Sequence, residues 1–100
     1  MRLIVRPDAE ADIAAGYGWY EEQQEGLGTK FVEEVSSTID AIVREPLRFP
    51  AVFRKLRRAL VHRFPYGIFF VVRAEAVIVV AAMHLARDPR RIHRRANSSL

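Results

Sequence analysis

The longest apolar run of the chain, "AVIVVAAM", covers residues 76–83. A strand with one exposed face alternates between apolar and polar residues, but this run is apolar at every position, so both of its faces must be buried. It is far shorter than the roughly 20 residues that a membrane-spanning helix needs. The run therefore predicts an internal strand of a sheet, with helices covering at least one side.

Two helical segments precede this strand. Asp8 is expected at the N-cap of the first, followed by acidic residues in the first turn. Its apolar stripe consists of Ile13, Tyr17 and Tyr20. The second segment has a clearer stripe and ends at Glu45-Pro46. That stripe consists of Phe31, Val32, Val35, Ile39, Ile42 and Val43. The short glycine-containing connection at 26–28 predicts an antiparallel helical hairpin.

Strands are predicted on both sides of the hairpin. They cover residues 2–7, 58–64, 68–74 and 77–85, and residues 46–56 are predicted to be irregular or partly extended. The short turns between the last three strands favour antiparallel pairing. The expected fold class is α+β in the order β-α-α-β-β-β, with the helical hairpin packed on a small, mostly antiparallel sheet. We expect one domain over residues 1–91 and a basic C-terminal tail over 92–100.

Charge is distributed unevenly along the chain. Residues 1–50 hold 5 Lys/Arg and 10 Asp/Glu, a net charge of −5, whereas residues 51–100 hold 11 and 2, a net charge of +9. This asymmetry indicates one face that binds an anionic partner, although a solvated basic tail would also explain it. The chain has no cysteine, which excludes disulfides and thiolate chemistry. The N-terminus lacks a signal-peptide pattern, so we expect a cytoplasmic protein that does not bind membranes.

Several motifs in this order resemble one family. They are "GLGTKFVEEV" in the second helix, "HRFPYGIFFVV" at 62–72 and "HLARDP" at 84–89. Over residues 2–91 the chain resembles the RelE/ParE superfamily of type II toxin–antitoxin toxins, and "FPY" with "RDP" is more similar to its ParE-like members. The resemblance implies a growth-inhibiting toxin of the plasmid-stabilisation type, neutralised by a cognate antitoxin.

The resemblance implies two alternative targets. ParE-like toxins bind and inhibit DNA gyrase and need no catalytic residues, whereas RelE-like toxins cleave mRNA on the ribosome. A third alternative is an inactive relative that keeps only the fold. The ParE-like interpretation is preferred because RelE-like nucleases often carry an aromatic residue near the C-terminus, and no Trp, Tyr or Phe follows Pro89. Homodimers and antitoxin-bridged assemblies both stay open.

A RelE-like site would use His84, Arg63 and Arg87. Imidazole titrates near neutral pH and suits acid–base work, and guanidinium groups hold a phosphate through forked hydrogen bonds. The alternative, and the preferred interpretation of His84, is a histidine at the end of a strand that bonds the backbone or water. Alternation within the predicted strand 58–64 places Arg63 on the side of Ala59 and Val61 without fixing which side faces out.

Binding surfaces are the other candidate sites. Those for the target or nucleic acid are Lys55, Arg57, Arg58, Arg90 and Arg91, and those for the antitoxin are Trp19, Phe53 and Leu56. Packing of these apolar residues against the core is the alternative. The histidines lack the spacing of metal ligands, and no glycine loop suits a phosphate, so neither a metal nor a cofactor is expected.

Overall fold

The computed structural model describes residues 1–92 and residue 95. The elements are β1 (Arg2–Val5), α1 (Pro7–Gln23), α2 (Leu27–Arg44), β2 (Ala51–Phe53), β3 (Leu56–Leu60), β4 (Tyr66–Arg73) and β5 (Ala76–His84). Short 3-10 turns cover Pro46–Arg48 and Pro89–Ile92. The predicted α+β class is confirmed: two helices pack on a mostly antiparallel sheet of five strands.

The sheet has the strand order β1-β5-β4-β3-β2. Strand β1 runs parallel to β5, and the other neighbouring strands are antiparallel. The additional strand, β2, lies in the stretch for which the sequence predicts irregular or partly extended structure. The predicted strand 58–64 is wrong at both ends, since β3 begins at Leu56 and ends at Leu60. Arg63 adopts a left-handed backbone with φ 72°, which an extended strand cannot contain.

Strand β5 is buried on both faces, as its composition predicts, and lies between β1 and β4. Val77, Val79 and Ala82 pack in the cluster that faces the helices. Ile78 and Met83 pack in the cluster on the opposite face. A register shift between Phe69 and Phe70 interrupts the pairing of β4 with β5. Both before and after this shift, β5 presents apolar side chains to both faces of the sheet.

The helical hairpin packs closely because of a glycine. A Cβ atom on Gly16 would stand 2.6 Å from a ring carbon of Phe31, so only glycine lets α1 approach α2 at this point. The buried face of α1 consists of Ala9, Gly16 and Tyr20. The predicted stripe of α1 is therefore wrong at Tyr17, which is 40% exposed. The buried face of α2 includes Phe31, Val35, Ile39 and Ile42, as predicted.

Helix termini also differ in part from expectation. Helix α1 begins at Pro7, which suits the first helical position because its missing N–H would have no intrahelical partner. Asp8 consequently lies in the first turn instead of at the N-cap. At the start of α2, both carboxylate oxygens of Glu21 accept backbone N–H groups, from Gly26 and Gly28, each at 2.9 Å. Glu21 thus caps α2 from the preceding helix and fixes the hairpin connection.

The turn between β4 and β5 stores backbone strain. Ala74 and Glu75 have φ 47° and 65°, and two positive φ angles in a two-residue hairpin connection define a type I′ turn. This turn normally contains Asn-Gly because a Cβ atom disfavours the left-handed conformation by about 1 kcal/mol or more per residue.

We therefore expect the substitutions Ala74→Asn and Glu75→Gly together to raise the free energy of unfolding by about 1–2 kcal/mol. Urea denaturation measures the change. Ala15→Gly on the exposed face of α1 is the matched control, and it should lower the free energy by about 0.5–1 kcal/mol because its backbone is already helical. Equal losses at both sites would contradict the assignment of strain to the turn.

Candidate functional site

Three strands bring the candidate residues to one end of the sheet. Tyr66 is the register partner of His84, and the N–H of Leu85 donates to the C=O of Pro65 at 2.8 Å. The loop 61–65 therefore lies beside the loop that follows β5. Arg63 and Arg87, one in each loop, are both exposed, as is His84 at the end of β5. The three residues of the RelE-like hypothesis thus share this end of the sheet.

The hydrogen bonding of His84 defines its chemistry. Its Nδ1 accepts the backbone N–H of Ala86 at 3.1 Å, and its ring stands edge-on to Tyr66 with centroids 5.7 Å apart. An accepting Nδ1 carries no proton, so the neutral ring holds its proton on Nε2. In this state Nε2 donates a hydrogen bond to solvent or a partner. The geometry suits a strand-end histidine bonded to the backbone, and a general base would first have to give up the bond to Ala86.

Arg63 lies beside a groove of about 540 Å³ between the loop 61–65 and the helices. The groove is lined by Tyr20, Leu27, Lys30, Glu33, Glu34, Arg63, Phe64 and Pro65. Its apolar floor contains the ring of Tyr20, whose pKa is raised by burial and by the neighbouring Tyr66. Cations and carboxylates both occur on the rim. Lys30, Glu33 and Glu34 are not among the predicted site residues, although their position on the polar side of α2 can be read from the sequence.

The basic residues near β3 have different roles. Lys55 is exposed in the turn before β3. The guanidinium of Arg57 donates to the C=O of Phe49 at 2.6 Å and so holds the connection after α2 against the sheet. Arg58 is half-buried and lies across β4 at Gly67. Lys55 and Arg58 stay candidates for target binding, whereas the guanidinium of Arg57 already has a structural contact.

The arginines that follow β5 also differ in whether they pair with a carboxylate. Arg90 forms an ion pair with Asp88 at 2.7 Å, and its hydrogen bonds lower the pKa of that carboxyl group. Arg91 is exposed, and Ile92 is 3% exposed in the cluster with Leu56. His93, Arg94 and residues 96–100 of the predicted tail lie outside the described residues. Both described residues of that tail, Ile92 and Arg95, contact the domain.

Arg95 closes an open edge of β5. Strand β1 ends opposite Val79, and beyond this point no strand of the described residues pairs with β5 on that side. There the carboxylate of Asp12 accepts the N–H of Ala82 at 3.1 Å, and Arg95 donates to the C=O of Val80 at 3.2 Å. Arg95 also bonds Asp12 at 2.7 Å, and this hydrogen bond raises the pKa of the guanidinium further. Arg95 is therefore a structural cation of the sheet edge.

The candidates for antitoxin binding do not form one patch. Trp19, on α1, is 57% exposed and stands edge-on to Tyr20. Phe53, on β2, is half-buried, and the guanidinium of Arg54 lies over its ring at 5.3 Å. Leu56 is 1% exposed and belongs to the core, so its side chain is not offered at the surface. Trp19 and Phe53 stay predictions.

Two further properties concern only the part of the chain that the structure describes. Within residues 1–92 and 95, no three His, Asp or Glu side chains come together in an arrangement that would hold a metal ion. In the same part, neither helix is both long and apolar enough to cross a bilayer.

Comparisons with known proteins identify relatives of this fold. A family model described as the ParE toxin of type II toxin–antitoxin system, parDE, matches residues 3–89. A solved structure from P. aeruginosa, titled as a chromosomal ParDE TA system, matches with TM-score 0.76 at 18% identity, covering 84% of this chain and 95% of that one. At this identity the structural match shows a shared fold. No curated protein sequence matches significantly.

The Asp12 contacts predict a stability effect. Asp12→Ala should lower the free energy of unfolding by about 2 kcal/mol, because the buried N–H of Ala82 loses its acceptor. Thermal and urea unfolding measure the change. Glu10→Ala removes an exposed carboxylate from the same helix and should stay within about 0.5 kcal/mol. A double-mutant cycle with Arg95→Ala should give a coupling of about 1 kcal/mol, and zero coupling would contradict the ion pair.

The tautomer of His84 is a second test. We expect 15N spectra at neutral pH to show the proton of neutral His84 on Nε2, because Nδ1 accepts from Ala86. His62 is the internal comparison, since its Nδ1 stands 3.7 Å from a carboxylate oxygen of Glu34 and should carry more of the proton. A protonated Nδ1 in neutral His84 would contradict the hydrogen bond.

Proposed function

Because the chain belongs to the family of ParE toxins of type II toxin–antitoxin systems, we propose that it inhibits DNA gyrase by binding and is neutralised by a cognate antitoxin. The observation that carries this proposal is the family match, which spans residues 3–89 and therefore the hairpin and all of the sheet but its first residue. Since gyrase acts on the chromosome, the proposal includes a cytoplasmic location. It also includes growth inhibition and a part in plasmid stabilisation.

The exposed cations support an inhibitor that works by binding. Lys55, Arg87 and Arg91 are exposed, and Arg58 of β3 is half-buried. Three other guanidinium groups already bond partners within the chain, namely those of Arg57, Arg90 and Arg95. We assign target binding to Lys55, Arg58 and Arg91. Cations of this kind steer an anionic or DNA-bound partner into contact, and the rate of that association falls as salt rises.

Ribosome-dependent mRNA cleavage is the second candidate function. One observation favours it: the ring of Tyr66 stands against His84, so an aromatic side chain is present near Arg63 and Arg87 even though none follows Pro89. Two observations favour gyrase binding instead. His84 has its Nδ1 committed to Ala86, and Tyr66 is half-buried with its ring packed against Tyr20 and Phe31.

A supercoiling assay with purified gyrase tests the proposal. The chain should inhibit supercoiling, and Lys55→Glu with Arg91→Glu should raise the concentration for half inhibition at least tenfold, because two attractive contacts become repulsive. Arg44→Glu, a charge reversal at the far end of α2, is the matched control and should change it less than twofold. His84→Ala should inhibit as the unchanged chain does.

Primer extension on translated messages tests the alternative function, mRNA cleavage. If the chain leaves gyrase unaffected, and its expression produces cuts at codon boundaries that His84→Ala abolishes, the ribonuclease function replaces the one proposed. If expression does not slow growth, gyrase is not inhibited and messages are not cut, the chain is an inactive relative.

A further inference from the structure

The groove between the loop 61–65 and helix α2 has an aromatic floor. The rings of Tyr20 and Phe64 stand edge-on with their centroids 4.8 Å apart, and Phe31 packs against both, at 5.1 and 5.3 Å. Phe31 is fully buried, whereas Phe64 and Leu27 are half-buried and line the groove. Close packing holds these rings in one arrangement, and an apolar side chain placed on them would extend the cluster.

One polar group of this floor has no partner. Tyr20 is 9% exposed, and its hydroxyl makes no hydrogen bond to any described residue. In this part of the chain the only fully enclosed side-chain polar atom without a partner is Nε of Arg73, so the Tyr20 hydroxyl keeps an opening to solvent. Burial raises the pKa of Tyr20, which keeps the hydroxyl protonated and able to donate. Because Tyr20 lines the groove, its hydroxyl is placed to donate to a ligand there.

Charged residues of the rim are also unpaired within residues 1–92 and 95. Lys30, Glu33 and Arg63 are exposed, and none of them forms an ion pair or a side-chain hydrogen bond in that part of the chain. Glu34 differs because a carboxylate oxygen stands 3.7 Å from Nδ1 of His62, a contact that joins the loop to α2. Two cations and one carboxylate of the rim are therefore left to bind a ligand.

We propose that this groove binds a zwitterionic dipeptide that has at least one large apolar side chain. The carboxylate of the dipeptide pairs with Lys30 and Arg63, its ammonium group pairs with Glu33, and its peptide C=O accepts the hydroxyl of Tyr20. The apolar side chain packs on the ring of Phe64. This site goes beyond the proposed function, in which none of these residues is assigned to the target.

The spacing of the charges favours a dipeptide over a single amino acid. Lys30 and Glu33 lie three residues apart on α2, which places their Cβ atoms about 5–6 Å apart. An extended residue spans at most about 3.6 Å, so one amino acid is too short for both charges, whereas a dipeptide reaches about 7 Å. The groove, at about 540 Å³, is also within the range of small-molecule sites, roughly 300–1,000 Å³.

The carboxylates of the rim disfavour a phosphate or a nucleotide. Glu33 and Glu34 line the same groove as the two cations, so a ligand with negative charge alone would be repelled by both. A ligand with positive charge alone would meet the corresponding repulsion from Lys30 and Arg63. Only a ligand with both charges satisfies the whole rim.

NMR titration of the 15N-labelled full chain with leucyl-phenylalanine tests the site. Backbone signals of residues 27–34 and 61–66 should shift, with a Kd on the order of 0.1–1 mM. The N-acetyl derivative lacks the ammonium group, the C-terminal amide lacks the carboxylate, and each should bind about fivefold more weakly. Glycylglycine keeps both charges without an apolar side chain and should bind about tenfold more weakly.

Variants assign the individual contacts. Arg63→Glu should weaken binding about tenfold, whereas Arg44→Glu, at the far end of α2, should change it by less than about twofold. Tyr20→Phe removes only the hydroxyl and should weaken binding about threefold. Glu33→Gln should weaken the dipeptide about fivefold without weakening the N-acetyl derivative, which has no ammonium group. Glu22→Gln neutralises an exposed carboxylate of α1 outside the groove and is its control.

Circular dichroism checks that each variant is folded. Unshifted groove signals at about 10 mM dipeptide, equal affinity for the dipeptide and both derivatives, or equal effects of Arg63→Glu and Arg44→Glu would overturn the proposal. Shifts of the same signals with protein concentration alone would identify a second copy of the chain as the occupant, and would also overturn it. A failed gyrase assay leaves this result unaffected, since the titration contains no gyrase.

Discussion

The structure depends on the burial of β5 on both of its faces. A strand without a polar side must be covered from two directions and paired along both edges, because every unpaired backbone group in such a place costs free energy. The hairpin covers one face, and residues including Leu56 and Ile92 pack on the other. Strands β1 and β4 pair with its edges. Where β1 ends, Asp12 and Arg95 take over the hydrogen bonds of a missing strand.

The charged residues fall into two groups: those that bond backbone groups within the fold and those that stay exposed. Glu21 caps α2, Asp12 closes the edge of β5, and Arg57 holds the connection after α2 to the sheet. These charges stabilise the fold, and their charge-assisted hydrogen bonds replace lost contacts with water. Other cations of the described residues, including Lys55 and Arg91, stay exposed.

This division favours a toxin that acts by contact. The sequence suggests a catalytic role for His84 and Arg63. In the structure, however, the imidazole of His84 is hydrogen-bonded to the backbone, and Arg63 lies beside a groove that carries both positive and negative side chains. Leu60 and Leu85 are exposed at the end of the sheet where Arg63 and Arg87 are also exposed.

The amino-acid sequence by itself determined the internal strand, the hairpin and the fold class, because these follow from apolar periodicity and from glycine and proline within short segments. It also named Arg63, His84 and Arg87, which the pairing of β4 with β5 brings to one end of the sheet. It missed the backbone reversal at Arg63, the exposure of Tyr17 and the strand β2, since each depends on packing against other elements. Whether an arginine is free or bound was decided only by the tertiary structure: Arg95 reaches Asp12 across 83 residues of sequence, and no local pattern encodes a contact of that range.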